Sequence, residues 1–220
     1  MKVLVIGATG FSGRRVAAGL AKRGHSVTCM ARASSDRDVL DGVPVEFVAG
    51  DLDRPAGLVR ALAGVDALMF VASLGFGHAP TVVDAMREAG VARGVFFSTT
   101  AIFTRLPARS RVVRLAAEDA IRDSGLDWTI LRPTMIYGGP GDRNVERLLA
   151  AVARWPVLPA VAGGGRIIQP VLVDDLAAAA VRALETPGAV GRCYNLPGGE
   201  PVTFGEFVRA AAAAVGRRVT

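Results

Sequence analysis

The sequence predicts an α/β fold with a doubly wound parallel sheet, and three observations support this. Six short runs are almost entirely apolar, as strands buried on both faces are. Between most of these runs lie longer segments with apolar residues three or four apart, as in amphipathic helices. A glycine-rich turn joins the first apolar run to the first helical segment. Such alternation in 220 residues indicates parallel strands joined by crossover helices within one domain.

The predicted elements follow in a regular order. The strands are Lys2–Ile6, Val27–Ala31, Val45–Ala49, Ala67–Val71, Val95–Thr99 and Trp128–Leu131. The helices are Phe11–Arg23, Ala79–Ala89, Val112–Ser124, Arg143–Arg154, Asp174–Glu185 and Phe204–Val215. Within the first helix, Val16 and Leu20 lie four residues apart, with arginines on the opposite face. We expect Asp174 or Asp175 to cap the start of its helix.

The chain after Pro133 has a different character from the part before it. Glycine-rich segments at 138–141 and 163–165 indicate loops, and the second of these could cover a pocket or form a simple turn. No polar linker separates the two parts. We therefore predict a single domain over residues 1–220, with a small substrate lobe formed mainly by 134–170 and 190–220.

The charge composition bears on the kind of partner. The formal net charge is +6, and all basic residues except Lys2 and Lys22 are arginines. Nucleic-acid binding requires basic residues on one face with aromatics between them, whereas these arginines are scattered over every helical segment. We predict no nucleic-acid partner and expect the positive field to suit a phosphorylated small molecule.

Other residue counts exclude further classes of protein. The cysteines, Cys29 and Cys193, lie in strand-like runs, and His25 and His78 are the two histidines. A zinc site needs about four clustered ligands, so we predict no metal site. No run of about 18 apolar residues is present, which predicts no membrane span. The first residues lack the apolar core of a signal peptide, so a cytoplasmic protein is expected.

The sharpest motif is the turn Gly7-Ala8-Thr9-Gly10-Phe11-Ser12-Gly13 between the first strand and the first helix. A dinucleotide pyrophosphate needs backbone N–H groups at a helix N-terminus, and glycines where a Cβ would prevent close approach. A tight turn that binds nothing is the alternative, but the strand–turn–helix context favours a dinucleotide. We expect the following residues to contact it: Gly7, Thr9, Gly10, Phe11, Ser12 and Gly13.

The GxxGxxG spacing of this turn resembles the extended and atypical short-chain dehydrogenase/reductases. Similar blocks follow along the chain: Gly50-Asp51-Leu52, Val71-Ala72-Ser73, Ser98-Thr99-Thr100-Ala101, Thr129-Ile130-Leu131-Arg132-Pro133, Tyr137-Gly138 and Gln169–Ala177. The last blocks are similar to epimerase/dehydratase-like, NmrA-like and complex I 39 kDa subunit-like members. The resemblance implies a Rossmann fold that binds NAD(P), with these further cofactor contacts: Asp51, Leu52, Ala72, Ser73 and Pro133.

The end of the second predicted strand indicates which dinucleotide is bound. Sites that prefer NAD carry an acidic residue there, which accepts a hydrogen bond from the ribose 2′-hydroxyl. This chain has Arg32 instead, and no acidic residue before Asp36. Arg32 could pair with a 2′-phosphate, helped by Ser34 or Ser35, or it could be a solvated charge at a strand end. We predict NADP, with NAD less favoured.

The resemblance also implies a Tyr-x-x-x-Lys pair on the helix after the fifth strand, where the tyrosine transfers a proton. This chain lacks the pair, because neither Tyr137 nor Tyr194 has a lysine four residues later. With Glu118 aligned to a glutamate common in the family, Arg114 takes the lysine position and Ser110 the tyrosine position. A guanidinium keeps its proton and cannot replace a phenol. We predict that the catalytic residues are Thr100, Ser110 and Arg114.

A substrate site is expected where residues 141–144 open a helix. Extended members of the superfamily bind the phosphates or ribose of a nucleotide sugar there, and a helix N-terminus beside Arg143 and Asn144 would suit an anion. The alternative is that Asp142 caps this helix and its neighbours are exposed. The predicted substrate contacts are Thr134, Arg143 and Asn144.

Together these features predict an NADP-binding protein similar to short-chain dehydrogenase/reductases. We expect an oxidoreductase or a nucleotide-sugar epimerase/dehydratase-like enzyme without the Tyr-x-x-x-Lys pair. It would act as a monomer or homodimer on a small-molecule substrate, either free or nucleotide-linked. The alternative is a non-catalytic NAD(P)-binding redox sensor or assembly subunit.

Overall fold

A computed structural model describes residues 1–105, 107–142, 144–155 and 164–217. The strands are β1 Lys2–Ile6, β2 Ser26–Ala31, β3 Val45–Ala49, β4 Ala67–Phe70, β5 Arg93–Phe97, β6 Asp127–Pro133, β7 Ile136–Tyr137, β8 Ile167–Ile168, β9 Val171–Leu172, β10 Arg192–Leu196 and β11 Val202–Thr203. The helices are α1 Phe11–Lys22, α2 Leu58–Leu62, α3 Ala79–Glu88, α4 Arg109–Arg122, α5 Val145–Arg154, α6 Val173–Glu185 and α7 Phe204–Ala214. In this part of the chain, no helix is long and apolar enough to cross a bilayer.

The chain divides into two compact units. The first comprises Met1–Pro133 and Leu176–Asn195, and the second comprises the described residues of 134–175 and 196–220. The first unit carries the large sheet. The second holds two short strand pairs, parallel β7–β9 and antiparallel β8–β11, together with α5 and α7. A substrate role for the second unit stays a prediction.

The large sheet has seven strands in the order β10-β6-β5-β4-β1-β2-β3. The pairings that link β3 through to β6 are all parallel, which confirms the predicted α/β class. The chain builds outward from β1 to β3, then crosses to β4 on the other side of β1. Parallel sheets of this order leave a crevice at the carboxyl ends of the two strands where the direction reverses.

Helices cover both faces of the sheet. Residues of α2, α3 and α4 pack with Leu4, Phe70 and Phe96 in one buried apolar cluster. On the other side α1 and α6 approach each other where Gly19 faces Val181. Because side chains alternate along a strand, burial on both faces requires strands that are apolar throughout, as predicted.

Several predicted boundaries are wrong for identifiable reasons. Strand β5 begins at Arg93, two residues before the expected start, because its guanidinium donates to the carbonyl oxygens of Asp127 and Ala183, each at 2.6 Å. Helix α4 begins at Arg109 and not at Val112. Helix α6 begins at Val173, so Asp174 and Asp175 lie in its first turn and neither precedes the helix as its cap.

A buried ion pair joins α4 to β6. The Glu118 carboxylate is fully buried and accepts hydrogen bonds from Arg132, with Nε at 3.0 Å, and from Arg122, with Nη2 at 2.6 Å. Burial alone would raise the pKa of Glu118, but the hydrogen bonds and the charge of Arg132, with the charge of Arg122, hold that pKa below its usual range. The carboxylate is therefore ionised at neutral pH.

We expect Glu118→Gln to lower the free energy of unfolding at pH 7 by about 3 kcal/mol, because it removes one partner of a buried ion pair. Since folding depresses the pKa of Glu118, the pair stabilises the fold above the unfolded pKa of about 4.3 and loses this effect as pH falls through the folded pKa. Urea unfolding at pH 7 and in acid measures both effects.

The matched control is Asp119→Asn, because the exposed Asp119 carboxylate pairs with Arg122 from the same helix. Its loss should cost less than about 1 kcal/mol. Equal losses for the two variants, or a gap between wild type and Glu118→Gln that stays constant into acid, would contradict the assigned role of the buried pair.

Candidate functional site

The glycine turn brings the carboxyl ends of β1 and β4 together. Gly7 has φ +88°, and a Cβ at this position would lie 2.8 Å from the Ala72 amide nitrogen just after β4. The Ala72 amide in turn donates to the Ile6 carbonyl oxygen at 3.2 Å. Both the positive φ angle and the close approach of the Ala72 backbone therefore require glycine at position 7.

Helix α1 packs directly on this turn. A Cβ on Gly13 would lie 1.9 Å from the Gly7 carbonyl oxygen, so the first turn of the helix rests against backbone. Gly10 is the N-cap of α1 and has no side chain that could accept from the first amides. The first turn also lacks an acidic residue. A helix terminus of this kind favours an anionic ligand.

A cavity of about 380 Å³ lies beside the turn, entirely within the first unit. Six of the predicted cofactor residues line it: Gly7, Thr9, Arg32, Asp51, Leu52 and Ala72. Ser35, which the sequence offered as an alternative to Ser34, also lines it, and six residues that were not predicted as contacts complete the lining: Ile6, Met30, Gly50, Asp53, Phe76 and His78. The cavity thus combines backbone of the glycine turn with side chains that follow β2, β3 and β4.

The signal for the missed residues was their position at strand ends. Met30 and Gly50 belong to the carboxyl ends of β2 and β3, and a Cβ on Gly50 would lie 2.5 Å from the Met30 sulfur. Phe76 and His78 follow β4 within eight residues. Because carboxyl ends of parallel strands share one edge, Met30 and Gly50 could have been selected from the strand predictions, whereas Phe76 and His78 depend on how the loop after β4 folds.

The remaining predicted cofactor residues do not line the cavity: Gly10, Phe11, Ser12, Gly13, Ser34, Ser73 and Pro133. Some have roles within the fold. The Ser73 hydroxyl accepts from the Gly75 amide at 3.2 Å, and the Pro133 carbonyl accepts from Thr100 at 3.3 Å. Their contact with a cofactor stays a prediction.

Arg32 stands at the mouth of the cavity in a tight turn. The Ser35 amide donates to the Arg32 carbonyl, and the Arg32 amide donates to the Ser35 hydroxyl, both at 3.1 Å. This turn directs Ser35 into the cavity lining, whereas Ser34 is exposed outside it. Among the described residues, the exposed Arg32 guanidinium has no hydrogen-bond or ion-pair partner.

The predicted catalytic residues lie near the carboxyl end of β5 and on α4. Ser110, Arg114 and Glu118 are spaced four residues apart and therefore share one face of the helix. Along this face Ser110 is exposed, Arg114 is half-buried and Glu118 is fully buried. A Cβ on Gly75 would lie 3.1 Å from Arg114 Nη2, so the guanidinium rests on the backbone of the turn after β4. The Thr100 hydroxyl is held by the Pro133 carbonyl.

In the second unit, the residues predicted to contact substrate have internal partners. Thr134 donates its hydroxyl proton to the Gln169 carbonyl. The buried Asp142 carboxylate accepts from the amides of Asn144 at 2.8 Å and Val145 at 3.0 Å, so an acid already occupies the start of α5. Arg143 lies outside the described residues. Substrate binding at these positions stays a prediction.

A family model described as NAD(P)H-binding matches residues 7–187. The chain belongs to this NAD(P)H-binding family. It is 31% identical to the 2-alkyl-3-oxoalkanoate reductase of Stenotrophomonas maltophilia, over 98% of this chain and 76% of that protein. It is 32% identical to NADH dehydrogenase [ubiquinone] 1 alpha subcomplex subunit 9 of Arabidopsis thaliana, over 92% of this chain and 55% of the relative.

A solved structure of an NADPH-dependent quinone oxidoreductase from Escherichia coli matches with a TM-score of 0.80 and 25% identity, over 99% of this chain and 76% of that one. Together with the sequence relatives, this confirms the resemblance to short-chain dehydrogenase/reductases. The chain is an NAD(P)-binding protein with reductases among its relatives.

We expect Gly13→Ala to abolish dinucleotide binding and to lower the free energy of unfolding by about 1–3 kcal/mol, because the new methyl group displaces the Gly7 carbonyl. Gly188→Ala is the control, since a Cβ there meets nothing within 4 Å and the φ angle is not positive. Titration calorimetry and urea unfolding compare the two, and unchanged binding in Gly13→Ala would contradict this account of the turn.

Proposed function

We propose that this chain prefers NADP to NAD and is an NADPH-dependent reductase of a small carbonyl compound. The observation that carries the proposal is that the glycine turn lines the same cavity as Arg32, whose guanidinium has no hydrogen-bond or ion-pair partner among the described residues. A reductase fits the activities for which the Stenotrophomonas and Escherichia coli relatives are named.

The cavity fits a dinucleotide phosphate. At Gly7 and Gly13 the space that a Cβ would need is filled by backbone, so the turn is a close-packed cradle whose amides are available to a pyrophosphate. Arg32 offers a planar, permanently charged group for a 2′-phosphate, and the Ser35 hydroxyl lies in the same lining. An acid, which would repel that phosphate, is absent from positions 32–35.

We expect Arg32→Ala to weaken NADPH binding at least tenfold, about 1.4 kcal/mol, and to leave NADH binding unchanged, because only NADPH carries the 2′-phosphate. Titration calorimetry with both dinucleotides measures this. Arg37→Ala is the control: Arg37 is exposed and lies over the Phe47 ring, 5.2 Å from its centroid, outside the cavity lining. Equal losses for NADPH and NADH in Arg32→Ala would assign Arg32 a general charge effect and contradict the NADP preference.

The chemistry at α4 follows from the residues present. When bound, NADPH would supply a hydride to the carbonyl carbon of the substrate. The Ser110 hydroxyl would donate to the substrate oxygen, the Thr100 hydroxyl would turn to it from the Pro133 carbonyl, and the Arg114 charge would stabilise the negative charge that develops there. Since a guanidinium does not release a proton at neutral pH, the oxygen takes its proton from solvent. This chain would thus replace the proton donor of its family with electrostatic stabilisation.

A second candidate function is non-catalytic dinucleotide binding. The observation that favours it is the exposed Ser110 at the position of the family tyrosine, because a serine hydroxyl is a far poorer acid than a phenol. The Arabidopsis relative is named as a subunit of NADH dehydrogenase. In this role the chain would bind the dinucleotide either as a redox sensor or as an assembly subunit of a larger complex.

Oxidation of NADPH in the presence of a panel of ketones and quinones separates the two functions. A reductase should lose about a hundredfold in kcat in Arg114→Ala while the Kd for NADPH changes little, and Arg37→Ala should match wild type. Wild-type protein that binds NADPH and oxidises none of it would support the second candidate. The double variant Ser110→Tyr with Arg114→Lys should then gain turnover, because it restores the proton donor.

A further inference from the structure

The turn after β4 presents an aromatic ring to solvent beside the cavity. Phe76 is 73% exposed, although most large apolar side chains of the first unit are buried. Its ring centroid lies 6.4 Å from that of His78, with the planes tilted by 47°. Both residues line the same cavity as the glycine turn. An exposed ring adds little to the stability of the fold, so packing does not explain this one.

His78 links this turn to the loop that follows β3. Its Nε2 atom lies 3.5 Å from Asp53 Oδ1, and Asp53 and Leu52 belong to the same lining. The imidazole is therefore held from a neighbouring loop, and Phe76 stands next to it. The two rings form one edge of the cavity.

The covalent structure of the dinucleotide determines which of its parts can reach these rings. In NADP the 2′-phosphate and the adenine are attached to the same ribose. If the 2′-phosphate binds at Arg32 and Ser35, the adenine therefore lies only one ribose ring away from those residues. The remaining side chains of the cavity are largely apolar or aromatic, which suits a flat base. They include Met30, against which Gly50 packs, and Leu52.

We propose that Phe76 and His78 bind the adenine of the dinucleotide by stacking. This inference rests on the proposed NADP site. It adds two affinity-determining residues from the turn after β4 to a site otherwise built from the glycine turn and the ends of β2 and β3. The exposed Phe76 ring is covered when the base binds.

Titration calorimetry with three ligands tests the assignment: NADPH, adenosine 2′,5′-bisphosphate and reduced nicotinamide mononucleotide. Phe76→Ala should weaken the first two by roughly five- to a hundredfold, the range for loss of one base-stacking side chain, and leave the third unchanged. His78→Ala should weaken the same two ligands. Phe76→Tyr should bind all three like wild type because it keeps the ring.

Ile167→Ala is the matched control, since Ile167 is 70% exposed and lies in β8 of the second unit. It should bind all three ligands like wild type, and thermal unfolding without ligand should be the same for all variants. Unchanged affinity of Phe76→Ala for adenosine 2′,5′-bisphosphate, or a loss confined to the nicotinamide mononucleotide, overturns the inference and leaves the NADP site standing. Wild-type protein that binds neither NADPH nor the bisphosphate overturns the proposed function, and this inference with it.

Discussion

The rest of the structure depends on two contacts between backbone segments that leave no room for a side chain. Gly7 lies against the Ala72 amide, and Gly13 lies against the Gly7 carbonyl. Through them the ends of β1 and β4 and the start of α1 meet at one point of the sheet. The cavity opens at this point, and Gly7 and Thr9 of the turn line it. Any side chain at either glycine would separate elements that the binding chemistry needs side by side.

The site divides its work between backbone and side chains. The glycine turn supplies groups that every residue possesses, so it can bind the part common to all dinucleotides. Discrimination between dinucleotides would then fall to side chains at the ends of other strands, such as Arg32 after β2, which lines the same cavity. These residues lie on loops, whose sequence can change without loss of the buried strands. The same fold can therefore serve different dinucleotides and substrates.

The sequence predicts the centre of the large sheet well because strands such as β4 are apolar and buried throughout, which is a strong local signal, whereas the largely exposed β10 was not among the six predicted strands. Two-residue strands such as β7 and β11 carry no periodicity and could not be found. The predicted strand omits Arg93 because a charged residue is not expected in a buried strand, yet the Arg93 guanidinium donates hydrogen bonds to backbone carbonyls. In the site, Arg32 was visible from its strand-end position. The choice of Ser35 over Ser34 depends on turn geometry, and the lining by Phe76 depends on how separate loops meet.

Helix α4 is anchored at one end and free to vary at the other. Glu118 is held by two arginines in the interior, while Ser110, two turns earlier, faces solvent and has no part in that network. The buried Glu118 therefore fixes the position of the helix, and Ser110, which is proposed to contact substrate, does not contribute to it. An exchange of the side chain at position 110 therefore leaves the buried anchor of the helix intact. The architecture of this helix is separable from the chemistry that its exposed end carries.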